Sequence, residues 1–175
     1  MHAQLGVPMS SLPQDPTDAE PLDGASVLYR AEVAARLEDV SRVCAEVAAL
    51  AAQRGDEAVA AQIDLGLSEA LSNIVRHGYD ADAADPSVQL VWTEQPGRWC
   101  LRLFDHGHPI PASALQPGTD DPFDFDPLAL DTLPEGGMGL ALMRASFDQV
   151  DYRTGPRGNL LVLTKFIQPH GEAKP

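Results

Sequence analysis

Three short segments carry side chains whose types and spacing suit chemistry. Glu69 and Asn73 stand four residues apart, with His77 one turn further on, so in a helix all three share a side. An Asn carbonyl oxygen is a hard ligand suited to Mg²⁺, which keeps several waters and takes few protein groups. A carboxylate one turn away can orient or deprotonate an attacking hydroxyl. Asp105-His106-Gly107 ends an alternating run, Leu101-Arg102-Leu103-Phe104. A carboxylate at a strand end can accept a hydrogen bond from an exocyclic amine such as adenine N6, and a glycine lets a flat base approach the backbone. Gly136-Gly137-Met138-Gly139-Leu140 opens a helical pattern. Glycines there free backbone N–H groups to point at an anion, which the helix dipole also favours. Each segment alone has an ordinary reading: a solvated helix face, an Asp-x-Gly turn, a hinge entering a helix. The glycine run is neither a Walker A loop nor GxGxxG. Together they offer a metal ligand, an amine acceptor and a phosphate cradle, in the order helix, strand end, loop, helix that one nucleotide site needs.

The surrounding periodicity supplies the elements that must hold these groups. Residues 26–31 alternate and predict a first strand. From 33 to 53, Leu37, Val40, Cys44, Val47 and Ala51 recur at helical spacing, with Gly55 as the stop. A second helix is expected over about 56–77. There Ile63, Leu67, Ala70, Leu71 and Ile74 share one face, Glu69, Asn73 and His77 lie roughly opposite, and Gly78 ends the run. Residues 88–93 and 99–104 read as a hairpin turned at Gln95-Pro96-Gly97-Arg98. The stretch 106–136 has several prolines, many acids and no Lys or Arg, as a long binding segment or lid would. Leu140, Met143 and Phe147 are spaced for a third helix, and 149–153 with 160–166 form a closing hairpin. The order β-α-α-β-β-lid-α-β-β predicts an α+β, two-layer α/β sandwich, in which a mixed, mostly antiparallel sheet is covered on one face by about three helices. Residues 1–24 have no period and read as a disordered arm, 25–167 as one domain, and 168–175 as a loose tail.

Composition narrows the function further. The chain has 175 residues and a formal net charge of −14. That balance disfavours direct contact with nucleic acid, which rewards clustered Lys and Arg, and with anionic membranes. It suits small ligands or proteins with a basic face. No apolar run approaches the roughly 18 residues of a membrane span, and the start resembles no signal peptide, so a cytoplasmic location is expected. Cys44 and Cys100 sit in no CxxC or Cys/His cluster and read as reduced, partly buried thiols. His106-x-His108 beside Asp105 offers too few ligands for zinc. The acids at 120–126 do not space as an EF-hand and read as a solvated lid.

At these residues the sequence resembles the ATPase superfamily shared by histidine kinases, gyrase and Hsp90, and within it the small anti-sigma factor serine/threonine kinases. Leu67-Ser-Glu-Ala-Leu-Ser-Asn-Ile-Val-Arg-His-Gly-Tyr79 is close to that family's N-box, and the Arg76-His77-Gly78-Tyr79 run is fairly specific to it. Asp105-His-Gly107 sits where its first Gly-box belongs. Gly137-Met-Gly-Leu-Ala-Leu-Met143 matches the second, and Gly158-Asn-Leu-Leu-Val-Leu-Thr-Lys165 fits the last strands. The likeness covers about 27–166. It implies a Bergerat-type ATP-binding fold with a lid loop, and ATP and Mg²⁺ as cofactors. It implies Glu69 as general base, Asn73 as the Mg²⁺ ligand, and Asp105 at adenine N6 with water-linked neighbours such as Thr164. Gly107 would lie against the base. Gly137 and Gly139 would cradle phosphates and hinge the lid, with Met138, Leu140 and His77 completing the cofactor contacts. Such kinases phosphorylate a STAS-type anti-anti-sigma protein, otherwise hold a sigma factor inactive, and commonly act as dimers, controlling transcription by partner switching. The sequence departs from the pattern at three places. His108-Pro109-Ile110 follows the first Gly-box, no cation lies between Leu103 and Met143, and Asn159 stands where a Thr is usual. The γ-phosphate then depends on Mg²⁺, on backbone amides, or on Arg76 or Lys165. The alternative these departures leave open is a catalytically weak or inactive ATP-binding regulator that sequesters its partner.

Overall fold

The computed structural model describes residues 24–55, 57–111 and 138–167. The expected arm up to residue 23, most of the lid (112–136 of 106–136), Gly137 after it and the tail from 168 lie outside the described residues. Among the described residues, eight elements follow in the expected order. They are β1 (Ser26–Ala34), α1 (Leu37–Arg54), α2 (Glu57–His77), β2 (Ser87–Gln95), β3 (Arg98–Asp105), α3 (Met138–Ser146), β4 (Gln149–Gly155) and β5 (Gly158–Phe166). The strands form one sheet in the order β1-β2-β3-β5-β4. All four pairings are antiparallel, so the sheet expected to be mostly antiparallel is wholly so among the described residues.

Strand alternation sends Val88, Leu90 and Trp92 of β2, Trp99, Leu101 and Leu103 of β3, and Leu161 and Leu163 of β5 into one core with the helices. Trp92 and Trp99 meet edge to face at 5.2 Å in its middle. α2 lays down Ile63, Leu67, Ala70, Leu71 and Ile74 as its spacing predicts, and α3 closes the layer with Met143. Cys44 is part of this core, and its burial pushes the thiol up to about 12. It is packing material, with no nucleophilic thiolate at neutral pH.

The first helix begins later than its periodicity predicts. Val33 is a strand residue paired with Val88 and wholly buried, and α1 starts at Leu37 after a turn in which Arg36 N–H bonds the Ala34 carbonyl at 2.7 Å. Leu37, placed on the apolar stripe by spacing, is 45% exposed, and Val43 takes its place inside. The reason is local. Val33 and Leu37 fit an i, i+4 helical pattern as well as they fit a strand end followed by a helix start, and periodicity cannot separate the two.

The sheet register matters for function because it fixes which residues meet at one end of the molecule. Asp105 ends β3 opposite Val88 on one side and Asn159 on the other. The C-terminus of α2 reaches the same end, where Gly78 N–H closes the helix on the Ile74 carbonyl at 2.7 Å.

Candidate functional site

A cavity of about 520 Å³ opens between the C-terminal half of α2, the start of α3, the end of β3 and Tyr152 of β4. Its wall carries Glu69, Asn73 and His77 from α2, Asp105 from β3, and Gly139 and Leu140 from α3. Six of the residues singled out in the sequence, separated by up to 71 positions, thus face one space. The α2 face that bears Glu69 and Asn73 is half-buried, because α3 packs across it. Gly139 makes that approach possible: a Cβ there would stand 2.6 Å from the Glu69 carboxylate oxygen. Among the described residues no group hydrogen-bonds the side chain of either Glu69 or Asn73, so both present unspent oxygen atoms to the cavity. His77 lies further out and is exposed.

Asp105 is held differently. It is 4% exposed, and its Oδ1 accepts from Gly107 N–H at 2.8 Å and from Asn159 Nδ2 at 2.9 Å. Burial raises its pKa above the ordinary 3.8, while the Asn159 and Gly107 donors pull it back down. Oδ2 has no hydrogen-bond partner among the described residues.

Three expectations need correction or restriction. Gly107 is not on the cavity wall. Its missing Cβ accommodates the Gly78 carbonyl, and the next residue, His108, donates its N–H to that same carbonyl at 2.6 Å. It therefore joins the end of β3 to the end of α2 rather than lying against a base. Thr164 is no neighbour of Asp105: it pairs with Cys100, five rungs along the sheet, with its hydroxyl 3.8 Å from the Cys100 sulfur. The antiparallel register puts Asn159 in that place instead. Lys165 is buried and bonds the Ser146 carbonyl at the end of α3 at 3.0 Å, so it supplies no charge to the cavity. Met138 begins α3, and Gly137 lies outside the described residues.

Spacing alone missed Tyr152 and the partner of His108. Tyr152 accepts a hydrogen bond from Ile110 N–H at 2.9 Å and so fixes the backbone where it leaves β3. His108 pairs with Asp80 at 3.1 Å, whereas His106 stacks edge-on against Phe104, so the two histidines diverge and do not form a joint site. The alternation of β4 puts Tyr152 on the helix side, which was legible; the long-range contact was not.

Residues 33–165 match the family of histidine kinase-like ATPase domains. Among curated proteins, the serine-protein kinases RsbW of Bacillus mycoides and of Bacillus cereus are each 29% identical over 104 residues. That stretch is 59% of this chain and 62% of theirs. Among solved structures, the RsbU and RsbW domains of a Mycobacterium tuberculosis protein superpose with a TM-score of 0.55 at 18% identity, covering 79% of this chain and 31% of that one. That likeness is one of fold. No helix among the described residues is long and apolar enough to cross a membrane. The chain belongs to the histidine kinase-like ATPase domain family.

Proposed function

We propose that this chain binds ATP with Mg²⁺ and transfers the γ-phosphate to a serine or threonine of a STAS-type anti-anti-sigma protein, and that in its other state it holds a sigma factor inactive. The observation that carries this reading is the convergence of Glu69, Asn73, Asp105 and Gly139 on one cavity whose volume, about 520 Å³, lies in the range of small-ligand sites. The names of the RsbW relatives point the same way.

Each residue has a task that its surroundings support. Asp105 Oδ2, left free because Oδ1 takes both donors, accepts the adenine N6–H. Asn73 and its neighbour Glu69 offer hard oxygen donors with no competing protein partner, the kind of set that suits Mg²⁺ bound through a nucleotide, and Asn73 would be the protein ligand. Bound there, the ion would neutralise charge on the phosphate oxygens. Glu69, against the first turn of α3, would take the proton of the attacking serine hydroxyl. The N-terminus of α3 favours negative charge close to that carboxylate and would favour phosphate likewise.

One observation favours the second reading, an ATP-binding regulator without transfer. Among the described residues lining the cavity, Arg76 is the only Arg or Lys, and it is exposed. Phosphoryl transfer draws much of its rate from cations on the transferring group. The experiment that separates the two uses purified protein with ATP, Mg²⁺ and a STAS-domain substrate. Wild type is expected to label the substrate on serine or threonine. Glu69→Ala is expected to keep its Mg²⁺-dependent nucleotide binding and lose labelling. Binding without labelling in wild type selects the sequestering regulator, and undiminished labelling in the variant removes Glu69 as the base.

A further inference from the structure

Asn159 is a buried polar residue near the start of β5, and the structure gives it a position that composition does not announce. It is 2% exposed, lies behind Asp105 rather than on the cavity wall, and pairs with Asp105 across β3 and β5. Its amide is fully committed. One Nδ2 hydrogen goes to Asp105 Oδ1 at 2.9 Å and the other to the Gly107 carbonyl at 2.8 Å, while its Oδ1 accepts from the Thr154 hydroxyl at 2.8 Å. This arrangement also fixes which way the amide points. Reversed, it would set its oxygen against a carboxylate and a carbonyl.

We propose that Asn159 is the positioning residue that makes the cavity select a 6-amino purine over a 6-oxo purine, by holding Asp105 so that it offers the ligand a single oxygen that only accepts hydrogen bonds. The inference rests on the nucleotide reading above and deepens it. Two donors saturate Asp105 Oδ1, which leaves Oδ2 for the ligand. A 6-amino group donates to that oxygen. A 6-oxo group would set lone pairs against it.

Without Asn159 the balance changes. Burial is the largest influence on Asp105 and favours the neutral carboxyl, and Asn159 is the first of the groups opposing it, ahead of Gly107 N–H and His106. Burial first, and the Asp105 charge after it, raise the phenols of Tyr79 beyond α2 and Tyr152 on β4. A carboxyl freed from Asn159 can rotate or take up a proton, and a protonated carboxyl donates to a 6-oxo group as readily as it accepts from an amine. Discrimination, not only affinity, should therefore fail.

The test is calorimetric binding of ADP and of inosine diphosphate, both with Mg²⁺, to wild type, Asn159→Ala and the isosteric Asn159→Asp, each checked for cooperative unfolding. Wild type should prefer ADP by at least about a hundredfold, since a site built around one N–H donor strongly rejects an analogue lacking it. In Asn159→Ala the preference should fall to within about tenfold, with a gain for inosine diphosphate. Asn159→Asp, which keeps the shape and replaces the donors with a second carboxylate, should also lose the preference, and it decides the matter if the alanine variant does not fold. A wild-type ratio kept in the folded variants, or equal losses for the two ligands, would make Asn159 a structural brace only and leave the nucleotide reading standing. Wild type that binds neither diphosphate would overturn both.

Discussion

The two ends of the cavity are built on opposite plans. At the sheet end, polar groups are already spent on one another. Asp105 Oδ1 takes two donors, Asn159 uses its whole amide, His108 N–H closes on Gly78, and the Tyr79 hydroxyl donates to the Ser87 carbonyl at 2.6 Å. At the helix end, Glu69 and Asn73 have no partner among the described residues, and what approaches them is a glycine with no side chain at all. The difference follows the chemistry of the proposed ligand. A neutral, flat base is recognised by shape and one or two hydrogen bonds, so its end gains from being fixed in advance. Phosphates and their cation bring their own strong fields, and groups that are to meet them must not be satisfied beforehand.

The comparison breaks most visibly at Asn73. If the helix end is waiting for a metal–nucleotide complex, Asn73→Ala removes a group that no protein contact needs. The folded protein should lose nothing in stability without ligand. With ADP and Mg²⁺ at 100 times the dissociation constant, wild type should gain about 2.7 kcal/mol, and the variant almost none of it. Thermal unfolding with and without Mg²⁺ reads both numbers. A variant that keeps the Mg²⁺-dependent gain would move the metal ligand elsewhere.

Asp105→Asn probes the other end and should have a smaller, differently shaped effect. Asparagine can still accept from Gly107 N–H and Asn159, so the fold is preserved, but its Nδ2 then faces the adenine amine donor to donor. ADP binding should weaken about tenfold or more while the Mg²⁺ dependence survives. The pH response separates this from general damage. Burial raises Asp105 above 3.8, so the native state binds that proton more tightly than the unfolded chain does. Between 3.8 and the raised value this group makes stability fall as pH rises; below 3.8 its favourable contribution is fully present. The variant has no such group. Its unfolding free energy, measured without ligand across the acid range, should lack that component and equal or exceed wild type at neutral pH. A variant less stable than wild type at every pH would mean that the carboxylate is a net structural asset.

Much of this plan was legible in the chain. The i, i+4 spacing of Glu69 and Asn73, the apolar stripe opposite them and the glycine at 78 locate the helix end, because a long amphipathic helix leaves few options for its faces. The strand run into Asp105 locates the sheet end. What could not be read is pairing across the sheet. Whether Asn159 or Thr164 meets Asp105 depends on the β3–β5 register, which is set by packing between residues some sixty positions apart rather than by a connecting turn. Both residues are buried and polar on the same strand, so their types alone do not choose. Gly107 misled for a similar reason. A glycine after an acid is what a base-facing turn needs, and equally what close passage of the Gly78 carbonyl needs, and only the backbone path distinguishes them.

The smallest effect is expected at Lys165, and it sharpens the comparison because the residue touches neither end directly. Its ammonium bonds the Ser146 carbonyl at the C-terminus of α3, where the helix dipole welcomes a cation, and sits 3.7 Å from Asp148, which is about a third exposed. The ion pair itself contributes little in that setting. The charge-assisted bond to the carbonyl matters more, about 1.5–3 kcal/mol by general experience, part of which a methionine would recover by packing in the same space. Lys165→Met should therefore lower the unfolding free energy by about 1 kcal/mol, measured by denaturant titration. Because α3 carries Gly139 at its other end, loosening its anchor should weaken ADP·Mg²⁺ binding by a few-fold. The ratio of ADP to inosine diphosphate affinity, set at the sheet end, should stay where it is. A change in that ratio would show that the two ends are coupled through α3 rather than independently built.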